Sequence, residues 1–503
     1  MNNTKQNIRA MIVGIIIIIV IIAIFLPLVM GLIIKNDVYN AIRATSSLKN
    51  VAVKVDQYHL GWFRSHAIVD ISMPMPPEAK SLLSDNNAVL PETITWKANL
   101  TIHHGPFSSI SENQQHRKVF YGEGVINGNL YLSDPKPGLF NELKGLDTPT
   151  KVMVRFMASG KQAVTFKHGP LAIEDRKDNV QFQISKGTVE IITNRQLNSA
   201  ALNAHLNDVT ISNEDKSEVN LSALILATNL KRNQEGLWIG TKSMNIPEIT
   251  WMKNKQLMLT VAGVQFLADI KEENKKLNTS NTLTIASITS APQVGVELNT
   301  FKFLLEFNQL NYEPILVLKK TYQSGLYKNM PLKERQSLAL TALYQGFLGS
   351  QVLFDLSFNG PFGFVHTYGQ VNLPTKPILK KATINSFVNW LPNMVGKSTV
   401  LLPSDASEKL TRDQVPLGPG PVIPPGSKLA NTENQSMMAG EKSRVMMASM
   451  IEDLYSKGFL QKENGQYVSN IDYCNGKLSV NNKIVWPLPK KTSIKTQSAT
   501  KGQ

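Results

Sequence analysis

Apolar and polar residues alternate with a period of two over much of this chain, and no other feature restricts the fold as strongly. In residues 94–102 every second side chain is apolar, in the order ITWKANLTI. Successive side chains of a β-strand point to opposite faces of a sheet, so this pattern predicts a strand with one buried face. Similar short runs recur between residues 51 and 485, separated by Gly, Asn, Asp and Pro, and residues 180–184 and 188–192 are two of them. The sequence therefore predicts many short, mainly antiparallel strands rather than a Rossmann fold or a TIM barrel.

Helical periodicity is confined to a few segments. Residues 331–348 and 437–458 have apolar residues at helical spacing, and residues 37–49 and 384–395 are weaker candidates. In residues 437–458 we interpret Met446 and Met450 as core-filling side chains. The predicted fold class is mainly β (α+β): a single N-terminal transmembrane helix, then a large twisted antiparallel β-sheet region with a few packed helices.

An uncharged apolar run, MIVGIIIIIVIIAIFLPLVMGLII, occupies residues 11–34. A spanning helix needs about 20 such residues. The run is longer than the apolar region of a signal peptide and has no small-residue cleavage pattern after it, which favours an uncleaved anchor. Lys5 and Arg9 precede the run, whereas Lys35 and Asp37 cancel after it. The positive-inside rule then predicts a single span with a cytoplasmic N-terminus and the bulk of the chain outside, which in a Gram-negative bacterium is the periplasm.

These observations give a predicted domain organisation. The cytoplasmic N-terminus (1–10) and the transmembrane anchor (11–34) precede a periplasmic β-rich region (35–403). Residues 404–436 have a dense Pro/Gly patch, which predicts a flexible insertion. Residues 437–489 are predicted to form a C-terminal helix and a β-hairpin that complete the β region. Residues 490–503 contain lysines and no acidic residue, which is typical of a disordered basic tail.

Composition and motifs argue against several functions. The chain has 53 Lys and Arg against 38 Asp and Glu, a net charge of +15, and one cysteine, Cys474, so it cannot form an internal disulfide. The lysines are spread along the chain without interleaved aromatic residues, which argues against nucleic-acid binding. No HExxH, Gly-x-Ser-x-Gly or phosphate-loop motif occurs. We predict that the protein is not an enzyme and has no catalytic, cofactor-binding or metal-binding residues.

Three motifs are more specific. The first is YHLGWFRS at residues 58–65, the second is HHGPF at residues 103–107, and the third lies within residues 450–485. Together with an N-terminal anchor, they resemble the YdgA family, a bacterial group with a domain of unknown function. The resemblance implies an inner-membrane-anchored periplasmic protein and supplies no catalytic residues. Asn482 stands where the family usually has glycine. The motif residues are Tyr58, Gly61, Trp62, Phe63, Ser65, His104, Gly105, Pro106, Tyr473, Asn475 and Gly476.

We expect structural roles for these motif residues. Gly61 is expected to permit a positive φ in its turn, and Asn475-Gly476 is the favoured two-residue hairpin turn. Trp62 and Phe63 have two alternatives. Burial in the core of the first sheet is favoured, because large aromatic residues beside alternating strands are usually buried. Contact with the bilayer, with Arg64 facing lipid phosphates, is the other alternative.

Two functions fit a protein of this type. The first is a non-enzymatic scaffold or interaction protein of the cell envelope, paired with itself or with another envelope protein. The alternative is a groove that binds lipid or another hydrophobic molecule, reminiscent of AsmA-like proteins by architecture alone. The expected partners are the bilayer, through residues 11–34, and either a protein partner or a lipid ligand, but not nucleic acid.

Overall fold

The computed structural model describes residues 29–30, 32–36, 39, 52–74, 93–105, 107–113, 116–133, 143–144, 148–175, 180–291, 297–323, 330–360, 363–375, 393–412 and 445–487. The chain divides into two compact units. The first comprises Met1–Lys231 and Trp251–Lys255, and the second comprises Arg232–Thr250 and Gln256–Gln503.

The first unit is built on antiparallel strands. The central ones pair in the order β1-β2-β3-β5-β7-β8-β10-β11-β12, while β4 pairs with β5, and β9 pairs with β6 and β10. Their bounds are β1 Ala52–His59, β2 Arg64–Pro74, β3 Thr93–His104, β4 Phe107–Asn113, β5 His116–Ser133, β6 Leu143–Lys144, β7 Thr150–Met157, β8 Lys161–His168, β9 Leu171–Asp175, β10 Val180–Asn194, β11 Ser199–Asn213 and β12 Ser217–Arg232.

An N-terminal helical segment, formed by residues 29–30 and 32–36, contributes to the core of this unit. Ile34, the last residue of the predicted membrane span, is fully buried and packs with Val69, Ile102 and Phe156. Gly124 on β5 leaves room for it, because a Cβ at Gly124 would lie 2.3 Å from Ile34 Cδ1. The apolar run therefore ends inside the core formed by β2, β3, β5 and β7.

The second unit is also antiparallel. Its strands pair in the order β14-β15-β16-β17-β18-β19-β21, and both β20 and β22 pair with β21, with β23 on β22. Their bounds are β13 Trp238–Lys253, β14 Gln256–Glu273, β15 Lys276–Ser290, β16 Glu297–Asn311, β17 Gln351–Gly360, β18 Gly363–Asn372, β19 Val395–Pro403, β20 Gln461–Glu463, β21 Gln466–Cys474, β22 Lys477–Val480 and β23 Lys483–Pro487.

The described part of the second unit also contains four helices. They are α1 Glu313–Gln323, α2 Leu332–Phe347, α3 Ala406–Arg412 and α4, residues 445–456. In α2, Tyr344 is fully buried against Leu373. Phe347 packs edge-on against Phe307 of β16, with the ring centroids 5.5 Å apart. The face of β16–β18 that carries Phe307 is thus the buried one, and residues one position away along each strand point to the other face.

The predicted class is confirmed at the coarse level, since the described chain is mainly β with antiparallel sheets and few helices. The expectation of short strands is wrong, because several strands have 15 to 18 residues. The separate runs predicted at 180–184 and 188–192 belong to one strand, β10. Asp208 of β11 adopts a left-handed φ of 45° opposite this interruption, and the pairing register of the two strands is the same on both sides of it.

Helical segments agree with the sequence patterns in part. The helix predicted at 331–348 is confirmed as α2. The predicted flexible insertion at 404–436 begins with a helix instead, α3, which is held by an Asp405–Lys409 ion pair and by buried Ala406 and Leu410. Residues 413–444 lie outside the described residues, as do residues 384–392 of the helix predicted at 384–395 and the predicted tail at 490–503.

The predicted membrane span is covered only at its end. Residues 11–28 lie outside the described part of the chain. Within the described part, no helix has both the length and the apolar character needed to cross a membrane.

Candidate functional site

The first two sequence motifs come together at one end of the sheet in the first unit. We call Tyr58–Ser65 and His103–Gly105 the motif cluster. The turn between β1 and β2 carries the first segment, and β3 ends in the second. Arg64 lies opposite His103 in the β2–β3 pairing. Beyond that pair, the His104 backbone N–H donates to the Phe63 carbonyl oxygen at 3.1 Å. The pairing thus places the turn against the end of β3. Pro106 lies outside the described residues.

A buried hydrogen bond forms the centre of the motif cluster. Ser65 Oγ lies 2.9 Å from His104 Nε2, and the Gly61 backbone N–H donates to the same hydroxyl oxygen at 3.2 Å. Ser65 is 0% exposed and His104 is 4% exposed. A serine–histidine contact of this length occurs in hydrolases, but there the serine must reach a substrate. Here both side chains are covered by protein, so in this conformation the contact holds the turn on β3.

Gly61 is required for a different reason from the one predicted. Its φ is not among the positive values of the chain, so the expectation of a left-handed glycine is wrong. A Cβ at this position would instead lie 2.1 Å from the Arg64 carbonyl oxygen. The turn therefore needs glycine because the backbone approaches itself closely.

Trp62 and Phe63 are on the surface, which corrects the favoured expectation that they enter the core. Trp62 is 40% exposed and Phe63 is 59% exposed, and Leu60 beside them is also exposed. The backbone explains this outcome: Ser65 occupies the inward position at the start of β2, and the preceding turn points its side chains away from the sheet. Val29, Leu32 and Ile33 of the N-terminal helical segment are exposed as well.

Tyr58 of the motif cluster contacts the N-terminal helical segment. Lys35 Nζ lies 5.3 Å from the centroid of the Tyr58 ring, and the Tyr39 ring is 6.4 Å from it. Burial raises the pKa of the Tyr58 hydroxyl, an effect that the nearby Ser65 side chain opposes. Ser65 does not reach hydrogen-bond geometry with this hydroxyl, which is buried without a partner among the described residues. The neutral Tyr58 ring, which the Lys35 side chain contacts, is therefore part of the packing of the N-terminal helical segment.

His103 points to the face opposite His104, as expected of adjacent strand residues. Burial lowers the pKa of His103, and the positive charge of Arg64 lowers it further, with smaller effects from His104 and His66. The neutral form is thus favoured near neutral pH. Across the described residues, no three His, Cys, Asp or Glu side chains converge in a way that could hold a metal ion.

The third motif forms the end of the second unit. Tyr473 lies on β21, and burial raises its pKa. Asn475 and Gly476 have φ values of 51° and 73°, as a two-residue type I′ turn requires, so the predicted hairpin is confirmed. Asn482 also has a left-handed φ of 65°, which asparagine tolerates in place of glycine.

Asn481 belongs to the third motif, but the sequence analysis did not predict its structural role. Its side chain donates to the Phe459 carbonyl oxygen at 3.0 Å and accepts from the Asn470 backbone N–H at 2.8 Å. It therefore connects the β22–β23 turn both to β21 and to the turn that ends α4. A buried asparagine with three backbone partners has no sequence signal beyond its place between two strands.

A cleft in the second unit was also not predicted. It has a volume of about 560 Å³ and opens on the face of β16–β19 that points away from Phe307. We call it the β18 cleft. Asp355 and His366 lie in it, with His366 Nε2 3.1 Å from Asp355 Oδ1. Tyr368 lies directly opposite Asp355 in the pairing of β17 and β18. The remaining polar side chains on this face are Glu306, Gln370, Lys397 and Thr399. The period-two pattern gives no signal for such a site, because it predicts only that these side chains face away from the core.

The fold and the motif cluster define a class: a large, mainly antiparallel β protein whose sequence motifs fix an N-terminal apolar segment and an aromatic turn to one end of a sheet. The chain belongs to the family described as "Bacterial protein of unknown function (DUF945)", whose profile matches residues 9–487. No curated protein and no solved structure matches the chain.

Proposed function

We propose that this protein is a YdgA-like, membrane-anchored protein of the bacterial cell envelope, with its bulk in the periplasm, and that it acts as a non-enzymatic scaffold. The observation that carries the proposal is the exposed turn Leu60–Phe63 beside the end of the apolar run. A leucine, a tryptophan and a phenylalanine lie next to each other on the surface there. Large exposed apolar side chains in one place mark an interaction surface.

The N-terminal segment supplies the geometric argument for a bilayer as the partner of this turn. Ile34 is fixed in the core, so the apolar residues that precede it start from this same end of the sheet. Val29, Leu32 and Ile33 expose apolar side chains in continuation with residues 11–28. An anchor held so close to the sheet keeps the Leu60–Phe63 turn within reach of the lipid headgroups.

The charges near the turn suit a membrane surface. Arg64 follows Phe63 directly, and Lys35 lies beside Tyr58. Tryptophan prefers the interface between hydrocarbon and water, and basic residues beside it attract lipid phosphates. We therefore propose Trp62 and Phe63 as interfacial anchors and Arg64 as a phosphate contact.

The scaffold role is supported by α4. Met446, Met450 and Leu454 follow each other at four-residue spacing and are all exposed, so the expectation that these methionines fill the core is wrong. Ala448 is the buried residue on the other side of the helix. A flexible methionine surface adapts to a protein partner. The lipid-groove alternative has less support, because the β18 cleft places the charged side chains of Glu306, Asp355 and Lys397 beside its apolar lining, and an acyl chain has no hydrogen-bonding group for them.

Quenching of tryptophan fluorescence by brominated lipids tests the proposal. The full chain is reconstituted into phosphatidylethanolamine–phosphatidylglycerol vesicles with bromine on the acyl chains. We expect partial quenching in the wild type and clearly less in Trp62→Phe, because the one membrane-embedded fluorophore among the six tryptophans is removed. Trp238→Phe, at an exposed tryptophan of the second unit, is the matched control. Equal quenching of the wild type and Trp62→Phe would show that this turn does not touch lipid.

A further inference from the structure

A row of three rings lies along β18. Phe364, His366 and Tyr368 occupy alternate positions, so their side chains share one face of the sheet. The ring centroids of Phe364 and His366 are 6.1 Å apart, and those of His366 and Tyr368 are 5.0 Å apart. Phe364 and Tyr368 are each nearly half exposed. The row therefore presents aromatic surface to solvent along the strand.

The row is held in place by its neighbours. His366 Nε2 lies 3.1 Å from Asp355 Oδ1, which fixes the central ring. Backbone pairing fixes the strand on both sides: Tyr368 pairs with Asp355 of β17 and with Thr399 of β19. The opposite face of the same strands packs under α2. A binding surface that is rigid before the ligand arrives loses less entropy on binding.

Hydrogen-bonding groups surround the rings. On the β16 and β17 side lie the carboxylates of Glu306 and Asp355, and on the β19 side lie the Lys397 ammonium and the Thr399 hydroxyl group. Thr399 also donates to Asn470 Oδ1 of β21, at 3.0 Å. Donors and acceptors of both signs thus line a cleft with aromatic surface along one strand.

This combination selects among ligand classes. An acyl chain would match the apolar lining residues Leu304 and Leu353, but it has no group that could hydrogen-bond Glu306 or Lys397. Single-stranded nucleic acid also stacks on aromatic rings, but it needs a positively charged groove, and Glu306 and Asp355 would repel its phosphates. A sugar ring has an apolar C–H face that packs on an aromatic ring, whose π face is partly negative, and a rim of hydroxyl groups that need donors and acceptors.

We propose that the β18 cleft is a binding site for a neutral oligosaccharide. Sugar rings stack on Tyr368 in the cleft and on Phe364, which continues the row of rings beyond the cleft lining. His366 with Asp355 holds the stacking surface and offers polar contacts between the two rings. Glu306, Lys397 and Thr399 hydrogen-bond the hydroxyl groups. The inference goes beyond the scaffold function and stands on the second unit alone, so it is independent of membrane contact at Trp62.

Calorimetric titration of the full chain in detergent micelles tests the proposal. The probes are three tetrasaccharides: cellotetraose, maltotetraose and tetra-N-acetylchitotetraose. We expect at least one of them to bind the wild type. Tyr368→Ala and Phe364→Ala should each weaken that binding by about tenfold, the effect of losing one stacking contact. Tyr368→Phe keeps the ring and should retain most of the affinity. Tyr322→Ala removes an exposed tyrosine of α1 and is the matched control.

Three results of this titration would overturn the proposal. Absence of binding of all three probes to the wild type at millimolar concentration overturns the proposal. The same holds if both alanine variants bind as the wild type does, or if Tyr322→Ala weakens binding as much as they do. Two alanine variants are used so that a folding defect in one, seen by circular dichroism, leaves the other as a test.

Discussion

Three residues of the motif cluster hold its turn in place by hydrogen bonding and close backbone packing. Ser65 and His104 share a buried hydrogen bond, and Gly61 is needed because a Cβ would meet the Arg64 carbonyl oxygen. Sequence reasoning identified these residues and assigned them structural roles. It missed the reason for Gly61 and the surface position of Trp62, because both depend on which side chain of the turn occupies the inward position. Ser65 occupies that position, and its hydroxyl group hydrogen-bonds His104 and the Gly61 backbone N–H in the interior.

Removing the Ser65 hydroxyl should destabilise the first unit. Ser65→Ala leaves His104 Nε2 and the Gly61 N–H without this partner in a buried place, which costs about 1–3 kcal/mol of the free energy of unfolding. Chemical denaturation of the full chain in detergent measures the change. Ser72→Ala, which breaks a half-buried hydroxyl contact with Thr95, is the control and should cost less. Equal, negligible effects of both changes would mean that the buried bond does not hold the turn.

His103 should make stability depend on pH. Its pKa in the folded protein lies below the ordinary value of 6.5, mainly because of burial. The unfolded chain therefore binds a proton more readily, so this contribution to stability is complete above pH 6.5 and is lost as the pH falls through the folded pKa. We expect the melting temperature of the wild type to fall more between pH 7.5 and 5 than that of His103→Gln. His205→Gln on β11 serves as the control. Parallel curves for the wild type and His103→Gln would contradict this assignment.

At the scale of elements, the sequence patterns located most strands and the helix α2. They underestimated strand length, because polar interruptions such as Ser185–Gly187 look like turns although the pairing continues through them. They missed α1 and β18, whose apolar residues do not follow one clean period. The β18 cleft could not be predicted either, since it depends on the register that places Tyr368 opposite Asp355.

Packing of α2 on the second sheet should depend on Tyr344. This side chain is fully buried, so Tyr344→Ala leaves a cavity under the helix and should cost about 3–5 kcal/mol of the free energy of unfolding. Leu343→Ala changes an exposed neighbour on the same helix and should cost little. Chemical denaturation of both variants provides the measurement. If the two changes cost the same, α2 does not cover the sheet in the way described.

At the scale of the whole molecule, membership of a bacterial family of unknown function leaves location and role to physical argument. The central claim is that the chain is anchored in a membrane and that its β units lie on the outer side. The apolar run, the basic residues before it, the buried Ile34 and the exposed Leu60–Phe63 turn all support that claim. They support it together, because an anchor that ends inside the first sheet brings the aromatic turn to the bilayer.

The single native cysteine allows the most direct test of this claim. Cys474 is a free thiol exposed on β21. Spheroplasts that express the full chain are treated with a membrane-impermeant maleimide, and the membrane pellet is then isolated, with Cys474→Ser as the blank. We predict that Cys474 is labelled in intact spheroplasts and that the labelled protein stays in the pellet. Labelling that appears only after lysis, or labelled protein that leaves the membrane in carbonate wash, would contradict the account.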